Sequence, residues 1–363
     1  MNDAHLTSTS RSEPTNEIEP SPFAPPPARA SALARWLRRL GNVFVLALAL
    51  VVGVLALMIG LDRPTAPEPD SAMLRPFAAV DFQDLPPTET VPARDGTALA
   101  FRRYPGAGVK IAVLVHGASG SGASMHALAK ALQQRGDVTV YAVDVRGHGD
   151  SGRRGDADHI GQIEEDMEDF LAAVRTRHPG APLTLVGFSA GGGLALRIAA
   201  GPHADRFERY VLLAPPLGYG STASRSSHGH YAVATKRILG LWALNLVGIH
   251  MFDHLTVLAF GVPPAMAHRM TGTYSFRLLM SFGPHADPLN DIRRSTQPMS
   301  ILVGEGDEVV DAQQYPPLVT VARSDVAVQL LPSLGHTELV TKPAALDAVV
   351  AAVTGRLAQG SRR

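Results

Sequence analysis

Beyond residue 88, two hydrophobic patterns alternate along the chain. Short, continuous apolar runs read as strands buried on both faces: Lys110 to Val115, Val138 to Val143, Leu183 to Phe188, Tyr210 to Ala214, Met299 to Val303 and Val326 to Leu331. Between them lie helical segments. One covers residues 123–134, one places Ile163, Met167, Phe170, Leu171 and Val174 on a single face, one follows Ser189, and one runs from Pro343 to about Leu357 with Leu346, Val349, Val350 and Val353 on one side. Strands alternating with amphipathic helices predict an α/β class with a mostly parallel sheet covered by helices on both faces. Glu89 to Ala93 and Ala98 to Tyr104, joined across Asp95-Gly96, add a hairpin ahead of it.

The alternation is interrupted once. Residues 215–297 are too many for a loop in a compact domain, so they predict a cap or lid, leaving 88–214 and 298–363 as the core. Ile238 to Phe260 is strongly apolar, with Trp242, Met251 and Phe252, and is expected to form cap helices. A second membrane span is the alternative, at the cost of placing Asn245, His250, Asp253 and His254 in hydrocarbon. The apolarity is either packing of cap on core, or an acyl-chain pocket or lipid-facing surface.

Ahead of the domain the pattern differs. Met1 to Arg29 is rich in Pro, Ser, Thr, Glu and Asn and cannot bury enough apolar surface to order itself, so residues 1–39 are expected to be a disordered tail. Residues 40–61 carry no charge and are long enough as a helix to cross about 30 Å of hydrocarbon. Arg35, Arg38 and Arg39 precede this run, which puts the tail in the cytoplasm and the rest of the chain on the far side, in the periplasm if the source is bacterial. A buried core helix and a cleaved signal peptide are the rivals; the apolar run is longer than a usual signal core, and no clean A-x-A site ends it. Residues 62–87, with several prolines, read as a linker.

Composition narrows the chemistry. Lys+Arg and Asp+Glu both number 33, so no global charge points to nucleic acid. With no cysteine among 363 residues, disulfides, thiol catalysis and cysteine-ligated metals are excluded. The 14 histidines show no H-E-x-x-H or comparable ligand spacing, so neither a metal nor another cofactor is expected.

What remains is Gly187-Phe-Ser189-Ala-Gly191, a serine between a buried strand and a small-residue helix. A serine on so sharp a turn is a nucleophile elbow, whose glycines let strand and helix approach closely. Its hydroxyl needs a base, and the base an orienting carboxylate. His336 follows the last strand on a Gly-His loop at the carboxyl edge of the sheet, where Ser189 also lies, and is the candidate base. The amides of Ala190, after the nucleophile, and Ala118, after His116-Gly117, are the expected donors to a tetrahedral oxyanion.

His116-Gly117, Asp144-x-Arg-Gly-His-Gly-x-Ser151 and Gly-Phe-Ser189-Ala-Gly, in this order and spacing, resemble the α/β-hydrolase superfamily, in particular its monoacylglycerol-lipase and lysophospholipase-like branch. The resemblance covers about Glu89 to Leu357. It implies the α/β-hydrolase fold with a helical cap and a Ser-acid-His chain order, with the acid in a Gly-x-x-Asp turn that Gly304-Glu-Gly-Asp307 matches. Asp307 is the candidate acid, with Glu305, Glu308 and Asp311 as nearby substitutes. His116 is expected to support the oxyanion loop and His148 to pack its own loop. The expected activity is hydrolysis of a lipid-like carboxylic ester such as a monoacylglycerol or lysophospholipid; a thioesterase, an acyltransferase or a non-catalytic binding protein on the same fold would share the constellation. The expected partners are the ester and, through residues 40–61, a bilayer; oligomeric state is not legible.

Overall fold

The computed structural model describes residues 31–69, 71–218, 222–223 and 230–356. Most of the expected disordered tail, residues 1–30, therefore lies outside the described residues. Two compact units make up the chain, Met1–Val54 and Leu55–Arg363.

Helix α1 (Ala32–Leu61) is 30 residues long, about 45 Å at 1.5 Å per residue, with no buried side chain. It begins eight residues before the expected apolar span, so residues 32–39 are helical where disorder was expected. Ala32-Leu-Ala-Arg-Trp-Leu-Arg-Arg39 is made of good helix formers, and a helix is bounded by propensity whereas a span is bounded by hydropathy.

Residues 62–87 are more than a linker. They contain α2 (Ser71–Ala78), whose Met73 carbonyl accepts a hydrogen bond from Thr337 Oγ1 at 3.0 Å and whose Phe77 packs against the core. Further along, Asp84 Oδ2 meets Lys130 Nζ at 2.6 Å and its Oδ1 meets His126 Nε2 at 3.1 Å.

The core follows in chain order: β1 (Thr88–Pro92), β2 (Ala98–Tyr104), β3 (Ile111–Val115), α3 (His126–Gly136), β4 (Thr139–Val143), α4 (Gln162–Arg177), β5 (Leu183–Phe188), α5 (Ala190–Ala199) and β6 (Arg209–Leu213). The cap holds β7 (Tyr231–Val233), α6 (Thr235–Leu246), β8 (Thr256–Phe260), β9 (Thr273–Ser275), α7 (Phe276–Ser281) and α8 (Pro288–Arg294). The core resumes with β10 (Met299–Gly304), α9 (Tyr315–Ala322), β11 (Ala327–Leu331) and α10 (Pro343–Thr354). The eight-stranded sheet has the order β1-β2-β4-β3-β5-β6-β10-β11. β1 and β2 form the predicted antiparallel hairpin, with Glu89 opposite Phe101, and β2 runs antiparallel to β4. From β4 to β11 every neighbouring pair is parallel. All five residues of β3 and of β4 are buried, as continuous apolar strands covered on both faces require.

The cap departs from the all-helical expectation. α6 is 12 residues long, too short to cross a bilayer, and ends just before Gly248, at φ +77°; the cap also holds a three-stranded antiparallel sheet of order β7-β8-β9, with β7 before α6 and β8 and β9 after it. Thr256-Val-Leu-Ala-Phe260 is five residues of β-branched and aromatic character, a strand length rather than a helix length.

Candidate active site

Ser189 sits between β5 and α5 at φ +52°, ψ −119°, a conformation a non-glycine residue holds only where its surroundings enforce it. The enforcing contacts are backbone on backbone. A Cβ at Gly187 would lie 2.2 Å from Gly191 O, and one at Gly191 would lie 2.4 Å from His116 O and 2.5 Å from Val115 O. Ser189 N donates to Leu213 O on β6 at 2.8 Å, and Ser189 O accepts from Gly193 N at 3.0 Å, tying the turn to sheet and helix. Ser189 is half-buried at the carboxyl end of β5. Ala190 opens α5 directly after it, which puts the Ala190 N–H among the unpaired donors of a helix amino terminus.

His336 and Asp307 meet. His336 Nδ1 is 2.7 Å from Asp307 Oδ2, and both side chains are almost completely buried. Asp307 Oδ1 accepts from the backbone amides of Val309 at 2.8 Å and Val310 at 2.9 Å, so both carboxylate oxygens are engaged. The other carboxylates of the turn face elsewhere. Glu308 Oε2 accepts from His336 N at 3.0 Å, and Asp311 Oδ1 accepts from Gln313 N at 3.3 Å. The His336 ring lies 4.9 Å, centroid to centroid, from Phe188, the residue before Ser189.

On the other side of Ser189 runs the loop after β3. A Cβ at Gly117 would come 3.2 Å from Ser189 Cβ, so this loop passes directly over the elbow. Ala118 is exposed on it, and the next residue, Ser119, takes φ +62°. His116, fully buried, donates from Nδ1 to Gly117 O at 2.8 Å and accepts at Nε2 from Val145 N at 3.2 Å. Burial pulls the His116 pKa down, which keeps the ring neutral, as a ring that both donates and accepts must be.

The Asp144-to-Ser151 stretch braces this arrangement. Asp144 Oδ1 accepts from Gly122 N at 2.7 Å and its Oδ2 from Asp150 N at 2.9 Å; a Cβ at Gly149 would collide with that carboxylate at 2.1 Å. Arg146 is buried and forks onto Asp166 with two 2.7 Å bonds, while its Nη2 lies 2.9 Å from Asp95 Oδ2. His148 is fully buried, 4.8 Å from the His116 ring between centroids, and its Nε2 lies 2.6 Å from Tyr274 Oη. Burial holds the His148 pKa well below the ordinary histidine value.

Tyr274 and Thr271 bond to the loop after β3, yet nothing local in the sequence marked them for those positions, whereas Glu308, a substitute for the acid in the sequence, accepts from the His336 amide instead. Tyr274 lies 155 residues from the Ser119 amide it binds, on a cap strand that periodicity does not identify.

A mostly parallel sheet with a strained serine at the carboxyl end of a central strand, and an imidazole–carboxylate pair on the loops after β10 and β11, defines a hydrolase of the α/β class. Comparison with known proteins places it more closely. Residues 109–341 match the family described as serine aminopeptidase, S33, and the chain belongs to that family of α/β hydrolases, as a hydrolase of the lipase and esterase type. The chain is 27% identical over 236 residues to a monoacylglycerol lipase of Mycolicibacterium smegmatis, a match covering 62% of this chain and 80% of the relative. It is 28% identical over 180 residues to the Homo sapiens monoglyceride lipase, covering 49% of this chain and 56% of that protein. In fold it resembles the solved structure of a soluble variant of Saccharomyces cerevisiae monoglyceride lipase, with TM-score 0.58 and 17% identity over 77% of this chain and 98% of that one.

Proposed function

We propose that the chain is a membrane-anchored serine esterase that cleaves a lipid-like carboxylic ester, such as a monoacylglycerol or lysophospholipid, through an acyl-enzyme on Ser189. The observation that carries this reading is the Asp307–His336 hydrogen bond, 2.7 Å long and buried, with the His336 ring 4.9 Å from that of Phe188, the residue before the strained Ser189.

In this mechanism Asp307, as a carboxylate, accepts the Nδ1 proton of His336, which leaves Nε2 as the basic nitrogen. His336 Nε2 takes the proton of Ser189 Oγ as that oxygen bonds to the acyl carbon. The oxyanion of the tetrahedral intermediate is bound by the amides of Ala118 and Ala190. Collapse breaks the bond to the alcohol oxygen, which leaves with the proton from His336. A water then repeats the sequence, with His336 again as base, and releases the carboxylic acid and Ser189.

The lipid-like substrate is supported by the monoacylglycerol and monoglyceride lipases among the relatives, by the apolar helix α1 and by the cap. Leu239, Trp242, Leu246, Val247 and Met251 of the cap are each more than half exposed. Ile59 O and Asp62, at the end of α1, bond to the start of α6: Arg237 Nε donates to Ile59 O at 2.7 Å, and Asp62 Oδ2 accepts from Lys236 N at 2.6 Å. In this reading α1 is an uncleaved anchor, with residues 1–39 in the cytoplasm and the catalytic domain outside it, periplasmic in a bacterium, and the exposed apolar side chains of α6 face lipid.

The test is hydrolysis of p-nitrophenyl esters of graded acyl length by the full chain in detergent, beside Ser189→Ala. Turnover that rises with acyl length and is lost in the variant is expected. A short-chain optimum would overturn the lipid reading, and an active variant would overturn the nucleophile.

A further inference from the structure

The cap bonds directly to the loop after β3. Three polar groups of Ser119, the residue after Ala118, bond to the cap. Its amide donates to Tyr274 Oη at 2.8 Å, its Oγ donates to Thr271 O at 2.7 Å, and its carbonyl accepts from Thr271 N at 2.9 Å. Thr271 Oγ1 reaches across to Gly147 O at 3.1 Å, and all of Ser119, Thr271 and Tyr274 are buried.

The directions of these bonds are fixed by chemistry. His148 Nδ1 faces the Arg146 carbonyl at 3.2 Å; a carbonyl only accepts, so Nδ1 carries the proton and Nε2 is the acceptor. The Tyr274 hydroxyl therefore donates to His148 Nε2 at 2.6 Å and accepts from the Ser119 amide. The chain runs one way, from Ser119 N–H through the Tyr274 hydroxyl and the His148 ring to Arg146 O, an order in which each bond polarises the next. It requires a neutral His148, which burial secures.

The geometry points to Tyr274 as a positioning residue: its hydroxyl holds the Ser119 amide, so that the cap fixes the left-handed turn presenting the Ala118 N–H beside Ser189. The sterics agree with this role. Ser119, at φ +62°, is a non-glycine residue in a conformation that costs energy unless its neighbours enforce it, and the bonds that do so come from the cap. Ser119 cannot lend its own amide to an oxyanion, because Tyr274 already occupies it. The inference rests on Ser189 being the nucleophile and adds that turnover requires the cap to be seated on the oxyanion loop.

The experiment is Tyr274→Phe, which keeps the ring and removes the hydroxyl, compared with the wild-type full chain in detergent. Rates are normalised to the sites that react with a fluorophosphonate. The expected result is a kcat lowered roughly tenfold to a hundredfold, in line with the cost of a small misplacement of catalytic groups, and a KM within about twofold of wild type. A trifluoromethyl ketone, whose adduct with Ser189 carries an oxyanion, should lose affinity by a similar factor. A purely structural tyrosine would instead lower the thermal midpoint and leave both the normalised kcat and the ketone affinity at wild type, overturning the proposal. Should Tyr274→Phe fold poorly, Ser119→Ala removes one bond of the same tie; a lowered kcat at constant KM supports the proposal, and an unchanged kcat overturns it. A wild-type chain inert to fluorophosphonate would overturn the nucleophile and this inference together, whereas a reactive wild type with an unaffected Tyr274→Phe overturns this inference alone.

Discussion

At Asp307 the two carboxylate oxygens are divided: Oδ1 takes the amides of Val309 and Val310, and Oδ2 takes the imidazole of His336. Glu308, next in the chain, reaches the same histidine only through its backbone amide. The two acids therefore differ in what their neutralisation removes. Asp307→Asn would disturb the tautomer and the stabilisation of the imidazolium, and kcat is expected to fall by about 10⁴-fold. Glu308→Gln keeps an oxygen for the His336 amide and should cost less than about tenfold. Steady-state rates of both variants on one ester check this, and equal losses would remove Asp307 from the role of acid. That Asp307 and His336 would meet was legible because a sheet of this kind delivers its loops to one edge in a set sequence. Tyr274 was not, since a tyrosine in an inserted segment has no periodicity or turn signature that says which loop it will reach. Its register on β9 arises only once the cap has folded.

At the scale of elements, the continuous apolar strands and the Asp-Gly hairpin could be read directly, because burial on both faces leaves a pattern that polar substitutions would break. The cap strands could not. β8 is a threonine and four apolar residues beyond an apolar helix, and a short run of that kind carries no period of its own. Helix α2 was hidden in a different way, by prolines that suggest an extended linker although Pro76 lies within the helix. Its packing gives it a measurable role. Phe77→Ala should destabilise the domain by on the order of 2 kcal/mol, less than a fully buried phenylalanine because Phe77 is only partly covered. For a domain of this size that is a drop of several degrees in the thermal midpoint, read by calorimetry in detergent. An unchanged midpoint would return residues 62–87 to the status of a tether.

For the whole molecule, the two tryptophans allow the disposition of the cap to be measured. Trp36 lies on α1 and Trp242 on the exposed face of α6, so Trp36→Phe leaves Trp242 as the sole indole. In vesicles containing lipid brominated near the headgroup, Trp242 fluorescence should be strongly quenched and shielded from aqueous iodide. The reverse pattern, with the chain still extracted only by detergent, would leave the anchor in place and lift the cap clear of the lipid. Balanced charge and an absence of cysteine do not bear on this expectation, which rests on the uncharged run from residue 40 to residue 61 and on the exposed apolar side chains of α6. The bonds between Ser119 and residues 271–274 also bear on how this enzyme could be redesigned. Caps are attractive cassettes for transplanting specificity between relatives, but here residues 215–297 and the loop after β3 share one set of hydrogen bonds. A transplanted cap would leave the recipient's loop after β3 unsupported unless partners for Ser119 and His148 travelled with it.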